Sequence, residues 1–227
     1  MSKNFSIREK LIIENELKFE IEKKESFKEI FDYLNENYIV TPYKNACMDD
    51  YYYDTENQDL AKAGISYRVR YRPQVSINAK LRPILSESIW SRYEYSCKVD
   101  GKIPNKSDLF DINCDIHNKI KSFLRKEELN DLKNVAVVNQ FRTGFILYFP
   151  RENPFEGLDF MGVAFFDQYS NNDIDKVYYG FELESFQQGD VFAAPYIFKE
   201  FQKIGNYIES LGHRQSNESK KERLSLV

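Results

Sequence analysis

Two runs of alternating residues, one near each end of the chain, set its pattern. Glu14, Glu16 and Lys18 alternate with Asn15, Leu17 and Phe19, and Glu182 and Glu184 alternate with Phe181 and Leu183. In a β-strand every second side chain shares a face. Each run therefore puts its charges on one face and its apolar residues on the other. Four carboxylates on two strands far apart in sequence are what a site for a hard divalent cation needs. Similar patterning predicts strands over residues 11–21, 48–55, 65–71, 77–81, 90–99, 109–113, 135–142, 144–149, 162–168 and 177–186. Apolar residues at helical spacing predict helices over 26–34, 115–132 and 194–211, the first with Ser26 as N-cap and Glu29 as its capping-box partner. A short helical turn over 57–62 is closed by Gly64, and the polar tail from His213 onward is expected to be exposed or loosely docked. Many strands interrupted by few helices argue for a single α+β antiparallel domain over residues 1–227, not βαβ units.

The polar faces sort by sign. Arg68, Arg70 and Arg72 share a face against Val69 and Tyr71. Arg92, Glu94, Ser96 and Lys98 oppose Tyr93, Tyr95, Cys97 and Val99, Gln140 and Arg142 alternate with Phe141, and Asp167 follows the apolar run from Val163. An ordinary sheet with one wet face accounts for any one of these strands. Together they place acids on the first and last strands and arginines on the middle ones. Like charges lining a closed sheet repel unless a ligand offsets them. A polyanion and divalent cations held between the two sets resolve that cost.

Composition narrows the partners. With 42% hydrophobic residues, 18 Phe and 16 Tyr, the chain can bury a sizeable core. A net charge of −4 argues against a protein that coats nucleic acid. No window approaches the ~20 apolar residues of a membrane span, and the N-terminus has no apolar leader core. Cys47, Cys97 and Cys114 are odd in number and widely spaced, without a metal-ligand pattern, and read as reduced thiols of a cytoplasmic protein. His117 and His213 read as surface or packed histidines, not catalytic ones.

Taken in order, these segments resemble the CYTH, or triphosphate tunnel metalloenzyme, superfamily. Its N-terminal Glu-x-Glu-x-Lys is met by Glu14, Glu16 and Lys18, and its aromatic-aromatic-acid-Thr strand by Tyr52, Tyr53, Asp54 and Thr55. Leu60 and Gly64 lead to Arg-x-Arg at Arg68 and Arg70. Arg142, Asp167, the Glu-x-Glu of Glu182 and Glu184, and a C-terminal Ser219-Lys220 complete a match over about residues 12–224. Two segments compete for the family's Thr-x-Lys-like strand. The run ending at Lys98 makes residues 71–90 an inserted hairpin loop and is favoured, because the next expected strand and helix then fall at Leu109 and Asp115. The run ending at Lys80 fits the usual distance better and makes Arg92 and Glu94 the strand that follows. Gln140 stands where a basic residue is common.

The resemblance implies a closed antiparallel β-barrel of about eight strands with flanking helices, whose tunnel binds a triphosphate-containing small molecule. It implies phosphate contacts from Lys18, Arg68, Arg70, Lys98 or Lys80, Arg92, Arg142 and Lys220, with Lys220 closing the tunnel mouth. Glu14, Glu16, Asp167, Glu182 and Glu184 would hold Mg²⁺ or Mn²⁺, and Glu14, Glu16, Lys18, Glu182 and Glu184 would form the catalytic set. The implied activity is metal-dependent triphosphate hydrolysis. A class IV-like adenylyl cyclase and a non-catalytic polyphosphate or nucleotide-binding module are the alternatives, and a homodimer is compatible with all three. The loops at 73–88 and 150–161 are long enough to gate a tunnel.

Overall fold

The computed structural model describes residues 6–71, 74–86, 89–100, 106–124, 129–149, 160–171, 176–187, 195–216 and 218–225. Arg72 and most of the candidate gating loop at 150–161 lie outside these residues, whereas the one at 73–88 is largely described and forms strands, not a loop. The described strands are β1 (Ile7–Ile21), β2 (Ile39–Asp54), β3 (Ser66–Tyr71), β4 (Val75–Lys80), β5 (Ile84–Ser86), β6 (Ile89–Val99), β7 (Lys133–Tyr148), β8 (Phe160–Ser170), β9 (Tyr178–Gln187) and β10 (Arg214–Gln215). The helices are α1 (Ser26–Asn37), α2 (Asp59–Lys62), α3 (Lys106–Phe110), α4 (Asp115–Lys121), α5 (Pro195–Ser210) and α6 (Lys220–Ser225).

Eight strands run in the order β1-β9-β8-β7-β2-β3-β4-β6, and β6 pairs back onto β1, with Glu14 opposite Arg92, which closes the barrel. Every pairing is antiparallel. Short β5 and β10 add to β6 and β1 at the rim.

The outside of this barrel is its dry side. Leu17, Phe19 and Ile21 of β1 meet Phe181 and Leu183 of β9, and are covered by Ile30 and Leu34 of α1 and by Phe201, Ile204 and Ile208 of α5. On the far side, Val69, Ile77, Cys97 and Val99 are covered by Leu109 and Phe110 of α3 and Ile116 and Ile120 of α4. Each such aliphatic or aromatic residue contributes ~1.5–3 kcal/mol when buried. The alternation seen in the sequence is therefore that of a barrel turned inside out, apolar outward beneath helices and ionic inward.

Several boundaries differ from the sequence expectation for local reasons. Leu109, Phe110 and Ile112 are all buried, which a period-two strand cannot achieve, and the segment is the helical turn α3 instead. The helix expected to run from Asp115 to residue 132 ends at Lys121, where Phe123 N–H turns back to Ile120 O at 2.9 Å. Ser26 does not cap α1. Backbone bonds to Lys23, Lys24 and Glu25 carbonyls already form the preceding turn, and no side-chain cap is made. Strands 135–142 and 144–149 are one strand, and Gly144 is required there because a Cβ would come within 2.9 Å of the Phe165 ring. Residues 71–90 are not an inserted loop, since β4 pairs with both β3 and β6 as part of the barrel wall. The tail beyond His213 is not loose. Ser216 N–H bonds Lys18 O at 2.9 Å, and Leu224 of α6 is buried against Tyr52, Val138 and Tyr169.

The Tyr52-Tyr53-Asp54-Thr55 motif ends β2 in a cap. Asp54 accepts backbone N–H bonds from Thr55, Leu60 and Ala61 at 2.8, 2.9 and 3.1 Å, and Thr55 Oγ1 accepts from Asp59 N–H at 3.0 Å. Asp54→Ala is expected to cost about 2 kcal/mol in chemical denaturation, the upper end for a lost cap, because its carboxylate is buried. Turnover per folded molecule should not change.

Candidate functional site

The barrel lumen collects the charges. β1 contributes Glu14, Glu16 and Lys18, β9 contributes Glu182 and Glu184, and β8 contributes Asp167, with Glu16 directly opposite Glu184 and Lys18 opposite Glu182. Asp167 lies opposite Arg142 of β7. Continuing round the wall come Asp50 of β2, Arg68 and Arg70 of β3, Asn78 and Lys80 of β4, and Arg92 and Glu94 of β6.

These groups pair with one another. Arg142 forms a two-pronged contact with Asp167 at 2.8 and 2.7 Å, reaches Glu184 at 3.4 Å, and bonds Glu182. Its guanidinium also stacks over Phe165, 4.1 Å from the ring centroid. Lys80 bonds Glu14 at 2.5 Å and lies 3.8 Å from both Glu16 and Glu94. Arg92 forms an ion pair with Glu16 and lies 3.7 Å from Glu14. Lys18 lies 3.1 Å from Glu16. On the opposite wall Asp50 accepts from Arg70 at 2.6 and 2.7 Å and from Arg68 at 3.2 Å.

Burial makes these pairings decisive. Burial pushes the Glu14 carboxyl up, but Lys80 and Arg92 outweigh it and hold the group at about 2. Burial also raises Glu182, and Lys220 and Arg142 more than reverse that, leaving it well below the usual carboxylate range. Glu184 goes the other way. Burial, then the nearby Glu14 and Glu182, push it up to about 8 against the pull of Arg142 and Lys80. Burial likewise lowers Lys18 despite Glu182 beside it.

Oxygens of Glu14, Glu16 and Glu184 all lie within 4.8 Å of one another, and all three residues are buried. An all-carboxylate set of this kind suits a hard cation and is a poor match for a soft one. The buried Gln140 donates to Asp167 at 3.0 Å, while its Oε1 has no protein partner. The acidic wall thus holds a carboxyl whose charged form is disfavoured by its acidic neighbours and an acceptor that lacks a donor, and both fit a hydrated cation.

Lys220 of α6 reaches inward to Asp167 at 2.8 Å and Glu182 at 2.9 Å. Arg223 lies 3.0 Å from Glu20 and bonds the Tyr169 hydroxyl at 2.5 Å. Lys98 points along the lumen face of β6 but is exposed, whereas Lys80 sits among Glu14, Glu16 and Glu94. The structure thus sets Lys80, not the favoured Lys98, among the acids.

The expected sorting of charge by strand is only partial. Asp50 and Glu94 stand among the bases, and Arg142, Lys18 and Lys220 stand among the acids, because each buried charge needs an opposite partner. Sequence reading passed over two lumen residues. Asp50 shares period-two parity with Tyr52, a signal hidden by attention to Asp54. Lys44 also lies on β2; the residue is exposed, and partial burial of its ammonium, then Arg142 and Arg70, pull it down. It was missed because the strand was started at Met48, nine residues late.

No protein-family model matches the sequence, and no curated protein sequence does. Solved structures do match across nearly the whole chain. A Bacillus halodurans protein provisionally described as an adenylate cyclase aligns at TM-score 0.58 and 15% identity, covering 95% of this chain and 97% of that one. A Hippeastrum protein, provisionally an adenylyl cyclase and described as having a dominant triphosphatase activity, aligns at TM-score 0.54 and 15% identity, covering 93% and 95%. A Pyrococcus horikoshii protein aligns at TM-score 0.53 and 17% identity, covering 91% and 94%. At these identities the likeness is one of fold: a closed, eight-stranded antiparallel barrel with flanking helices, as the sequence patterning leads one to expect.

Proposed function

We propose that this chain is a metal-dependent triphosphate hydrolase that works inside the barrel. The observation that carries the proposal is the lumen itself. Three buried carboxylates within 4.8 Å of one another are ringed by Lys80, Arg92 and Arg142, and face Arg68 and Arg70 across the barrel. The tunnel fold shared with a protein described as having triphosphatase activity supports the same reading.

Each side chain has a part in binding or turnover. Arg68, Arg70 and Arg92 present guanidinium forks to the oxygens of a phosphate chain, and Lys80 and Lys18 act as point charges. Arg142, held in orientation by Asp167 and Phe165, places its charge beside the transferring group. Lys44 and Lys98 extend the positive surface for an incoming anion. Glu14, Glu16 and Glu184, with Glu182 and Asp167 beside them, would hold Mg²⁺ or Mn²⁺, which when bound offsets charge on phosphate oxygens and acidifies a water. A bound cation would favour the charged form of Glu184, which the neighbouring acids otherwise disfavour. The basic residues release their carboxylate partners as phosphate oxygens replace them.

The test is phosphate release from inorganic triphosphate and a panel of organic and nucleoside triphosphates, with Mg²⁺, with Mn²⁺ and with chelator. Hydrolysis of at least one compound is expected with metal and is lost on chelation. Cyclic AMP and pyrophosphate from ATP would instead mark a cyclase. Tight binding without any turnover across the panel would mark a binding module.

A further inference from the structure

A second cluster of metal-type ligands lies outside the barrel, on the side covered by α4. Glu9 of β1 and Cys97 of β6 are cross-strand partners, so their side chains leave the sheet together on its outer face. Cys114, immediately before α4, is brought against them. One carboxylate oxygen of Glu9 and the sulfurs of Cys97 and Cys114 all lie within 4.8 Å of one another. Three segments remote in sequence thus converge on one point. Cys97 and Cys114 are 0% and 3% exposed, while Glu9 is exposed and marks the way in from solvent.

Among the described residues no ion pair is made to Glu9, whose carboxylate is fixed beside the two sulfurs by the Asp115 N–H at 2.7 Å. His117 takes no ligand position, its ring nitrogens being engaged by Ile112 O at 2.7 Å and Tyr67 Oη at 2.9 Å. Two sulfurs and one carboxylate converging from three segments form the donor set of a zinc-class cation, since sulfur ligands select against the hard ions that all-oxygen sets take. Tetrahedral thiolate ligation at Zn–S ~2.3 Å puts two sulfurs about 3.8 Å apart, within the spread found here.

We propose that Cys97, Cys114 and Glu9 form a binding site for one zinc-class divalent cation, with its fourth position open to water. Both thiols lose their protons to solvent as the two metal–sulfur bonds form. The ion clips α4 to the barrel wall and is chemically distinct from the all-oxygen set in the lumen.

The probe is Co²⁺ added to the reduced full-length chain with excess Mg²⁺, which competes for oxygen sites and leaves thiolates alone. A near-ultraviolet thiolate-to-cobalt charge-transfer band is expected, saturating at one equivalent and displaced by Zn²⁺. It should be lost in Cys97→Ser and in Cys114→Ser and retained in Glu14→Gln. The exposed Glu9→Gln, which keeps the Asp115 contact, covers the case in which the buried serine variants misfold. It should weaken Co²⁺ and Zn²⁺ affinity about tenfold or more. Absence of the band in reduced protein, its survival in both folded serine variants, or undiminished affinity in Glu9→Gln would overturn the site. Isolation of the pair as a disulfide that reduction and Co²⁺ do not convert to the metal form would overturn it too.

Discussion

Glu16→Gln is expected to lower metal-dependent phosphate release by about a thousandfold, the scale of losing a positioned electrostatic group at a reacting centre. Glu16 is 0% exposed and is the carboxylate on which Lys18, Lys80 and Arg92 converge. The substitution keeps shape and volume and removes one charge. Glu14 stays in place to partner Lys80 and Arg92, so the barrel should remain folded, with an unchanged circular dichroism spectrum. The deficit should persist at saturating Mn²⁺, because charge and not merely metal affinity has been lost. Turnover equal to the parent protein at saturating metal would rule Glu16 out of the reacting centre.

Arg142→Met is expected to produce the largest loss of stability, about 3–5 kcal/mol in the absence of metal. The guanidinium touches Asp167, Glu182 and Glu184 at once and is 7% exposed, so its removal leaves buried negative charge that Lys220, Lys18 and Lys80 only partly offset. Methionine keeps the contact with Phe165, which isolates the electrostatic part. If the three acids border a cation site, Mn²⁺ should raise the variant's denaturation midpoint more than the parent's, since the ion then replaces a missing charge. An equal metal response in both proteins would show that these acids belong to a structural ion-pair network alone.

Much of the architecture was written in period-two patterning. The barrel strands around Glu16, Arg70, Arg92 and Glu184 were legible because each must keep one face apolar beneath a helix and the other ionic, and no helix can reproduce that alternation. The choice between Lys80 and Lys98 was not legible. Both lie on the correct face of a short strand, and only the pairing of β4 with β3 and β6 shows which one sits among Glu14, Glu16 and Glu94. The strand expected over Leu109 to Asn113 proves to be a helical turn, as five residues are too few to distinguish the two periods. The Cys97–Cys114 pairing was hidden because it is made by a strand and a helix start whose contact depends on how α4 packs. Asp54 carried a family-like motif whose visible role is to cap α2, so a motif match located a turn and not a lumen side chain.

Mutual pairing in the lumen has a thermodynamic consequence. A phosphate chain arriving alone would take Arg70 or Lys80 from its carboxylate and leave that acid bare, and a cation arriving alone would strand the bases. On the proposed function, entry is a double displacement, in which each newcomer occupies what the other releases. Cation and anion would then strengthen one another's hold by equal factors. Half-loading would be resisted, and selectivity would rest on the pair that arrives together.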